Sequence, residues 1–547
     1  MKEKTKINYN KAIDEEEKFN QSINNITSEE IEKALETLKK YKEGKTNLEA
    51  RIIDNEQWFK MRHWEQMRKS SGDEFASGWL FNSIANKHAD AMDNYPRVNC
   101  LPREQSDKEA ATILTEILSV IFERNDFEKI YNDTWWCKLK AGTGVYGIFW
   151  NSKKQNGLGD IEIRQINLLN IFWEPGVRDI QKSRNMFCVE LIDNEVLLSM
   201  YPSLKDKLGN SSIEISKYIY DDTVDTSNKS AVVDWYYKKF INGIETLHYC
   251  KFCNGEILYA SENDPEYYEK GFYSHGQYPF VFDTLFVEEG TPCGFGYIDV
   301  MKDAQRQIDI LNNNLIKNAV MGTQKRYFIN SSGAVNEEEF ADWSNNFVHV
   351  NGSNLGEDSI REIKTNNIPE IYLGILNNKI DELKETSGNR DFSQGGVSSG
   401  VTAASAIAAL QEAGSKLTRD MVKGGFRAFC ELNKLAIELI REFYDEPRFF
   451  RITNPNGTED FISYDNSALL YEKENDIFGV SIDGRKPIFD IKVSAEKSSP
   501  FTRISQNELA LQLYNSGMFN KEYREQAILA LNMMDFEGKS EVLSRLQ

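Results

Sequence analysis

One uninterrupted helical segment places the strongest constraint on how this chain folds. Neither proline nor glycine occurs from Tyr297 to Met321. Apolar residues recur in this segment at alternating intervals of three and four, as on a helix face that packs along another helix; they are Met301, Ala304, Ile308, Leu311 and Leu315. At about 1.5 Å per residue the helix is roughly 36 Å long. A rod of this length cannot bury its apolar face within one compact domain.

A second helical segment of the same type follows after a polar insert. Its apolar positions are Leu373, Leu376, Ile380 and Leu383. The intervening residues 322–369 are polar and rich in turn-forming residues, with short strands predicted at Arg326–Asn330 and Phe347–Val350. This order of helix, insert and helix indicates that neighbouring copies of the chain cover the exposed stripes.

The segments on either side combine helices with strands. Helices are predicted from Thr27 to about Lys40 and from Asn47 to Lys69, and Tyr95-Pro96 is interpreted as a turn. Residues 95–295 mix both periodicities, and the sequence therefore predicts the α+β fold class. The strands predicted there are Val145–Trp150, Asp160–Gln165, Phe187–Asp193, Ser230–Phe240, Glu245–Lys251 and Glu256–Ala260.

The C-terminal part returns to long helices and short strands. A helix is predicted from about Thr402 to Tyr444, with a kink at the glycine pair Gly424-Gly425. Strands are predicted at Phe449–Thr453 and Ile488–Val493, and short helices from about residue 506 onward.

Charge and cysteine usage limit the classes of function. The 547 residues carry 65 Lys+Arg and 85 Asp+Glu, a net charge of −20, which disfavours tight static binding of nucleic acid. The same charge does not exclude a channel through which DNA slides, because a wall that repels phosphate offers no tight binding sites along the way. Seven scattered cysteines indicate reduced thiols and no disulfide framework. We expect no signal peptide, no membrane span and no membrane partner.

Two motifs suggest chemistry, and their context argues against it. The glycines of Gly142–Gly147 match a dinucleotide fingerprint, but a helix is predicted before them and a strand after them, the reverse of the required order. The set His248, Cys250 and Cys253 offers three zinc ligands without a fourth, and two thiols beside a hairpin turn explain it more simply. We therefore predict no catalytic residue, no metal, no cofactor and no enzymatic activity.

The order of parts and several short motifs resemble the portal proteins of tailed bacteriophages. The motifs are the Ala141–Gly144 turn into a strand, the segment Ile171–Pro175, the entry Gly294–Asp299 into the helix that contains Gln305–Asn314, and Ser399–Ser405. The resemblance extends over about residues 79–515. It implies a portal-type fold with a mixed α/β wing, long stem helices, a small β-rich clip insert and C-terminal helices.

The resemblance also implies how the chain is divided. The parts are a wing at 1–296, a first stem helix at 297–321, a clip at 322–369, a second stem helix at 370–387, a tunnel loop at 388–401, a long kinked helix with wing return strands at 402–505, and crown-like helices at 506–547. Known portals form homo-oligomeric rings, typically of twelve copies, at one capsid vertex of the virion, and are assembled in the host bacterial cytoplasm.

Site residues and partners follow from the same resemblance. The predicted DNA-facing residues of the tunnel loop are Asn389, Arg390, Ser393, Gln394, Ser398 and Ser399. The predicted channel cations are Lys317, Lys325 and Arg326, and Glu337, Glu338 and Glu339 are predicted to form the docking surface of the clip. The implied partners are double-stranded DNA, terminase, a head–tail adaptor, and the major capsid and scaffold proteins.

Two alternative functions remain open at this point. One is a ring-forming adaptor or scaffold that conducts no DNA. The other is a nucleotide-binding enzyme that uses Gly142–Gly147.

Overall fold

We describe the fold from a computed structural model of the chain. It describes residues 26–64, 75–205, 208, 215–218, 228–241, 243–323, 327–329, 336–341, 349, 360–362, 370–388, 416–453, 459–470, 474–475, 481–482, 487–497 and a few positions between 512 and 531. The chain divides into two compact units. The first comprises Met1–Ile53, Ala85–Gly296 and Lys416–Gln547, and the second comprises Asp54–Ile84 and Tyr297–Ser415.

The described part of the chain mixes helices and strands, which confirms the α+β class. The helices are α1 Ser28–Phe59, α2 Trp79–Met92, α3 Lys108–Arg124, α4 Phe127–Ala141, α5 Asn194–Met200, α6 Tyr297–Thr323, α7 Glu337–Ala341, α8 Glu370–Ser387 and α9 Lys416–Phe443. The strands of the first 300 residues are β1 Asn94–Pro102, β2 Thr143–Asn151, β3 Asp160–Ile166, β4 Ile171–Trp173, β5 Asn185–Asp193, β6 Lys229–Ile241, β7 Ile244–Cys253, β8 Glu256–Ala260, β9 Phe280–Thr284, β10 Phe286–Val287 and β11 Gly294–Phe295. The later strands are β12 Tyr327–Ile329, β13 Ile360–Glu362, β14 Arg448–Thr453, β15 Glu459–Tyr464, β16 Glu474–Asn475, β17 Ser481–Ile482 and β18 Phe489–Lys497.

The first unit is built on a five-stranded antiparallel sheet in the order β4-β5-β6-β7-β8. Helix α1 contributes Ile31 and Leu38, whose spacing of seven puts them on one helix face, to a core that includes Phe187 and Phe252 of the sheet. Both helix side chains are essentially fully buried, and each such burial contributes about 2 kcal/mol. A smaller cluster around Leu197 packs on Val232 and Cys253.

A buried lysine joins α1 to the start of the sheet. The Lys45 ammonium donates hydrogen bonds to the carbonyl oxygens of Leu168 and Ile171, the latter at 2.8 Å, and lies 3.5 Å from the carboxylate of Glu49. Burial lowers the pKa of Lys45 to about 8, and the carboxylate of Glu49 opposes that shift. The first residue of the Ile171–Pro175 motif is thus bound by the ammonium group of Lys45, a residue that is 5% exposed.

A three-stranded sheet, β3-β2-β9, forms a second layer with α4 and α9. The rings of Phe127 in α4 and Phe429 in α9 lie 5.5 Å apart, centroid to centroid. A Cβ atom at Gly425 would lie 2.7 Å from the Trp135 ring, so this position admits only glycine without rearrangement. The backbone stays α-helical through Gly424-Gly425, and the predicted kink stays a prediction.

Two local predictions were wrong. The helix predicted at Thr27–Lys40 and the first part of the one predicted at Asn47–Lys69 form a single helix, α1, because one glycine at position 44 weakens a helix without ending it. This helix ends at Phe59, and residues 65–69 lie outside the described residues. Tyr95-Pro96 lies in strand β1, not in a turn, and pairs antiparallel with β18. Proline is tolerated there because the sheet formed by the described residues has two strands, so each is an edge strand.

The second unit contains the two striped helices and the insert between them. Helix α6 confirms the helix predicted at 297–321 and α8 that at 370–387, and the two pack against each other. In the insert, β12 pairs antiparallel with β13, which confirms the first predicted strand, and α7 lies between them in sequence. Of the strand predicted at Phe347–Val350 the structure describes His349, which has no strand assignment, and the other three residues lie outside the described residues. The first part of the helix predicted from Thr402 and most of the helices predicted from residue 506 also lie outside them.

Replacing Lys45 with methionine should destabilise the first unit. The substitution leaves the buried Glu49 carboxylate without its cation, which typically costs about 3–5 kcal/mol of unfolding free energy. In Lys45→Met/Glu49→Leu both charges are gone, and the loss should be smaller. Guanidinium denaturation followed by circular dichroism measures both, and equal losses in the two variants would contradict the role given to the ion pair.

Candidate functional site

A row of buried polar side chains on α6 holds the second unit together. Gln305, Asp309 and Asn313 are spaced by four and lie on one face of the helix. The Gln305 side-chain oxygen accepts from the Leu80 amide at 2.9 Å, and Asn313 exchanges two hydrogen bonds with the main chain of Phe75, at 2.9 and 3.0 Å. The row therefore satisfies main-chain groups of residues 75–80 with side chains of the helix.

Asp309 is the centre of this row. Its carboxylate accepts from the Ser77 amide at 2.8 Å, from the Ser77 hydroxyl at 2.6 Å and from the Gln305 amide at 2.9 Å. His63 Nε2 lies 3.1 Å from the second carboxylate oxygen, and the His63 ring stacks on Trp58 with centroids 3.9 Å apart. An aspartate that is fully buried is stable only when its oxygens are paired in this way.

The apolar stripes predicted on α6 and α8 are partly covered within one copy. Met301 and Ile308 of α6 and Leu376 and Leu383 of α8 are buried. Leu373 stays 49% exposed. The hairpin of the two helices thus provides part of the cover for which a neighbouring copy was expected.

Other apolar side chains of the same two helices remain exposed to solvent. They are between 40% and 67% exposed in the single chain and comprise Val300, Ile310, Ile316 and Val320 on α6 and Ile371, Tyr372, Leu373 and Ile375 on α8. Apolar side chains repeated along two neighbouring helices are typical of a protein–protein contact surface.

The three glutamates predicted for docking lie in α7 and differ in environment. Glu338 is exposed. The Glu339 carboxylate accepts hydrogen bonds from the His349 main-chain amide at 2.7 Å and from His349 Nδ1 at 2.9 Å. These hydrogen bonds lower the pKa of Glu339. Glu339 therefore has a structural contact, and the side chain of Glu337 lies outside the described residues.

Of the three predicted channel cations and the six predicted DNA-facing residues of the tunnel loop, the structure describes one. Lys317 lies on α6 and is exposed. Lys325 and Arg326 lie outside the described residues, as do the six tunnel-loop residues Asn389, Arg390, Ser393, Gln394, Ser398 and Ser399. Their assignment stays a prediction.

The glycines of Gly142–Gly147 serve packing between backbone segments. Helix α4 ends at Ala141, Gly142 adopts φ of 86° as its C-cap, and β2 begins at Thr143, as the sequence predicts. A Cβ atom at Gly144 would lie 2.8 Å from the Thr134 carbonyl oxygen, and one at Gly296 would lie 2.7 Å from that of Leu139. The order helix, turn, strand is the opposite of a phosphate-binding loop.

The candidate metal ligands occupy a β-hairpin. His248, Cys250 and Cys253 belong to β7, and the turn to β8 confirms the predicted hairpin. Cys250 and Cys253 belong to different core clusters, and burial raises the pKa of the Cys250 thiol to about 12. Among the described residues no group of three His, Cys, Asp or Glu side chains is arranged to hold a metal ion.

The chain combines an α+β unit with a second unit of two paired helices and a small β insert, and the exposed apolar side chains of the two helices indicate a protein that assembles with other protein surfaces. A model of the phage P22-like portal protein family matches residues 88–547, which is more than half of the chain. The chain therefore belongs to the phage P22-like portal protein family. A comparison with curated proteins found no match.

Family membership indicates the general role of the chain. It is a portal, or connector, component of a phage particle, and portals are structural, ring-forming proteins. In the described part of the chain, no helix is long and apolar enough to cross a membrane.

Sequence reasoning missed the polar row on α6, although a signal was present. Glutamine, aspartate and asparagine at intervals of four indicate one polar helix face. Such a face is ordinarily solvated, and only the tertiary structure brings residues 75–80 against it.

Replacing Asp309 with asparagine should loosen the contact between α6 and residues 75–80. In asparagine an NH₂ group, which only donates, replaces one of the two carboxylate oxygens of Asp309. A buried donor that binds this oxygen then loses its acceptor, at a cost of about 1–3 kcal/mol of unfolding free energy. Asp303→Asn is the control, because Asp303 is exposed on the same helix. Hydrogen exchange by mass spectrometry should show faster exchange in peptides covering 75–84 for Asp309→Asn alone. Unchanged exchange in that variant would contradict the assignment.

Within α7, Glu339→Gln and Glu338→Gln should behave differently. Glu339→Gln removes the charge that accepts two hydrogen bonds from His349, so exchange of the His349 amide should accelerate. Glu338→Gln should leave exchange unchanged, since that side chain is exposed. Equal effects in both variants would show that the Glu339–His349 contact does not stabilise the insert.

Proposed function

We propose that this chain forms a closed ring, of twelve copies by family resemblance, at one vertex of the phage capsid. The ring forms the channel through which double-stranded DNA is packaged and ejected. The observation that supports this most is the set of exposed apolar side chains on α6 and α8, together with the portal family match. In a ring each copy offers these helices to two neighbours, which buries them.

The net negative charge of the chain favours a channel through which DNA passes over a protein that binds DNA tightly. Twelve copies at −20 each total about −240, and a wall of this sign repels the phosphate backbone. We assign Lys317, Lys325 and Arg326 as local channel cations and residues 388–401 as the loop nearest to DNA. Four glycines and three serines let such a loop follow a moving ligand at low conformational cost.

We assign residues 322–369 as the clip that docks terminase during packaging and the head–tail adaptor afterwards. The support is its position between the two stem helices and its polar, acidic composition. Glu338 is the exposed docking candidate, whereas Glu339 is engaged by His349. Residues 506–547 would form the crown inside the capsid, and the major capsid and scaffold proteins would meet the ring during assembly in the host cytoplasm.

Negative-stain electron microscopy of the purified chain, and of virions, tests ring formation. Ile316→Glu/Val320→Glu should abolish rings and leave a folded monomer, because both side chains are exposed in the single chain and would face a neighbour in the ring. Val196→Glu/Met200→Glu is the matched control, since these are exposed apolar residues at the same spacing on α5.

Rings with an open central channel wide enough for a duplex are the expected result for the unchanged chain and the control. Rings that persist in the Ile316→Glu/Val320→Glu variant would contradict the proposal that the exposed apolar side chains of α6 form the contact between neighbouring copies. A closed or narrow ring would favour an adaptor that conducts no DNA.

A further inference from the structure

The β-hairpin formed by β6 and β7 extends beyond the five-stranded sheet to which both strands belong. Strand β5 pairs with β6 only as far as Tyr237, and β8 pairs with β7 only from Cys250 onward. The last two residue pairs before the turn of the hairpin therefore have no third strand beside them among the described strands. We call residues 239–246 the hairpin tip.

The hairpin tip exposes apolar side chains at a place where turns are ordinarily polar. Phe240 is 77% exposed and Ile244 is 70% exposed, and no other large apolar side chain of the described residues is as exposed as Phe240. A Cβ atom at Gly243 would have no heavy atom within 4 Å, so the turn lies in open space. Neighbouring residues of a strand point to opposite sides, so Phe240 lies on one side of the hairpin and the pair of Ile241 and Ile244 on the other. A surface that covers both sides must be concave.

A large groove in the same unit is concave and has an apolar floor. It has a cavity volume of about 1360 Å³ and is lined mainly by residues of β1, α3 and α4. The rings of Phe122, Phe127 and Phe429 line it and lie between 4.7 and 5.5 Å from one another, centroid to centroid. Exposed charged side chains also line it, among them Arg97, Glu123, Glu128 and Lys129. An apolar centre with charged surroundings is typical of a protein–protein contact. We call this surface the α3 groove.

The proposed ring requires more apolar contact than α6 and α8 supply. At roughly 100 Å² for a fully exposed apolar side chain, the eight exposed ones on these helices offer about 400 Å², or about 200 Å² toward each of two neighbours. A stable interface buries about 800 Å² on each partner, of which somewhat more than half is apolar. Further apolar surface of the chain must therefore be buried between neighbouring copies.

From these observations we propose that the hairpin tip of one copy inserts into the α3 groove of the next copy in the ring. Phe240 and Ile244 pack on the phenylalanine floor of the groove, and both sides of the tip are buried. The contact joins two different surfaces of the same chain, which is the type of contact that generates rings. The inference rests on the proposed function, in which each copy has a neighbour on either side.

Photocrosslinking of the full-length chain tests which surface the tip contacts. Phe240→p-benzoylphenylalanine keeps an aromatic ring at the tip and bonds to an adjacent C–H group on irradiation. The expected result is a dimer band on a denaturing gel, in which mass spectrometry finds residue 240 joined to a peptide within residues 92–98 or 115–132 of a second copy. Phe75→p-benzoylphenylalanine is the control, because Phe75 is also an exposed phenylalanine and belongs to the other unit. It should give no product with these peptides.

Glutamate at the tip should weaken assembly. Phe240→Glu/Ile244→Glu places two charges against the apolar floor of the groove, so the protein concentration for half-maximal ring formation should rise at least roughly tenfold. Val196→Glu/Met200→Glu is the matched control, because it introduces the same charges at two exposed apolar positions of the same unit. Mass photometry measures ring formation in each protein, and circular dichroism checks that each is folded.

The outcomes separate the tip contact from the ring itself. Rings that form without a dimer band through the α3 groove, or an equal effect of both glutamate variants, would overturn the tip contact and leave the ring standing. Crosslinks from residue 240 to a different peptide or to a different protein of the virion would also overturn it. A dimer band through the groove in a protein that forms no closed ring would support the tip contact and contradict the proposed function.

Discussion

The second unit depends on hydrogen bonds between side chains of α6 and the main chain of residues 75–80. Residues 75–78 and the first turn of α2 leave main-chain amides and carbonyls without partners unless another element supplies them. Gln305, Asp309 and Asn313 do so at three successive turns. These contacts are made to main-chain atoms, which every residue has. The packing of residues 75–80 on α6 therefore depends on where the three side chains lie along the helix. Apolar packing alone would permit sliding along the helix axis, whereas this row fixes the register.

The first unit uses buried charge in a similar way. Lys45 with Glu49 and Lys138 with Asp283 are ion pairs whose cations are at most 5% exposed. In each pair the desolvation cost is offset only if both partners and their hydrogen bonds are present. The Lys138 ammonium lies 2.6 Å from the Asp283 carboxylate and joins α4 to β9, and burial lowers its pKa. These pairs therefore specify how helices sit on the sheets more than they add stability.

The exposed apolar side chains of α6 and α8 favour contact with another protein surface. Eight of them are between 40% and 67% exposed in the single chain, although charged side chains such as Lys317 are exposed on the same helices. Burial of these apolar side chains requires a protein partner. In the proposed ring, two neighbouring copies would supply that surface.

The sequence alone determined most of the helices and strands, and the family. Hydrophobic periodicity located α6 and α8, because apolar residues on one face of a helix recur every three or four positions whatever the helix packs against. The order of a helix before Gly142 and a strand after it excluded a phosphate-binding loop. Local pattern failed where the outcome depends on distant residues. Pro96 is in a strand because β18, almost 400 residues later, pairs with it, and Asp309 is buried because residues 75–80 cover it. The same holds for the candidate site: Glu337, Glu338 and Glu339 are equivalent in sequence, and only the position of His349 gives Glu339 a structural contact. Hydrophobic periodicity is a property of neighbours along the chain, whereas the pairing of polar groups is decided by which segments the fold brings together.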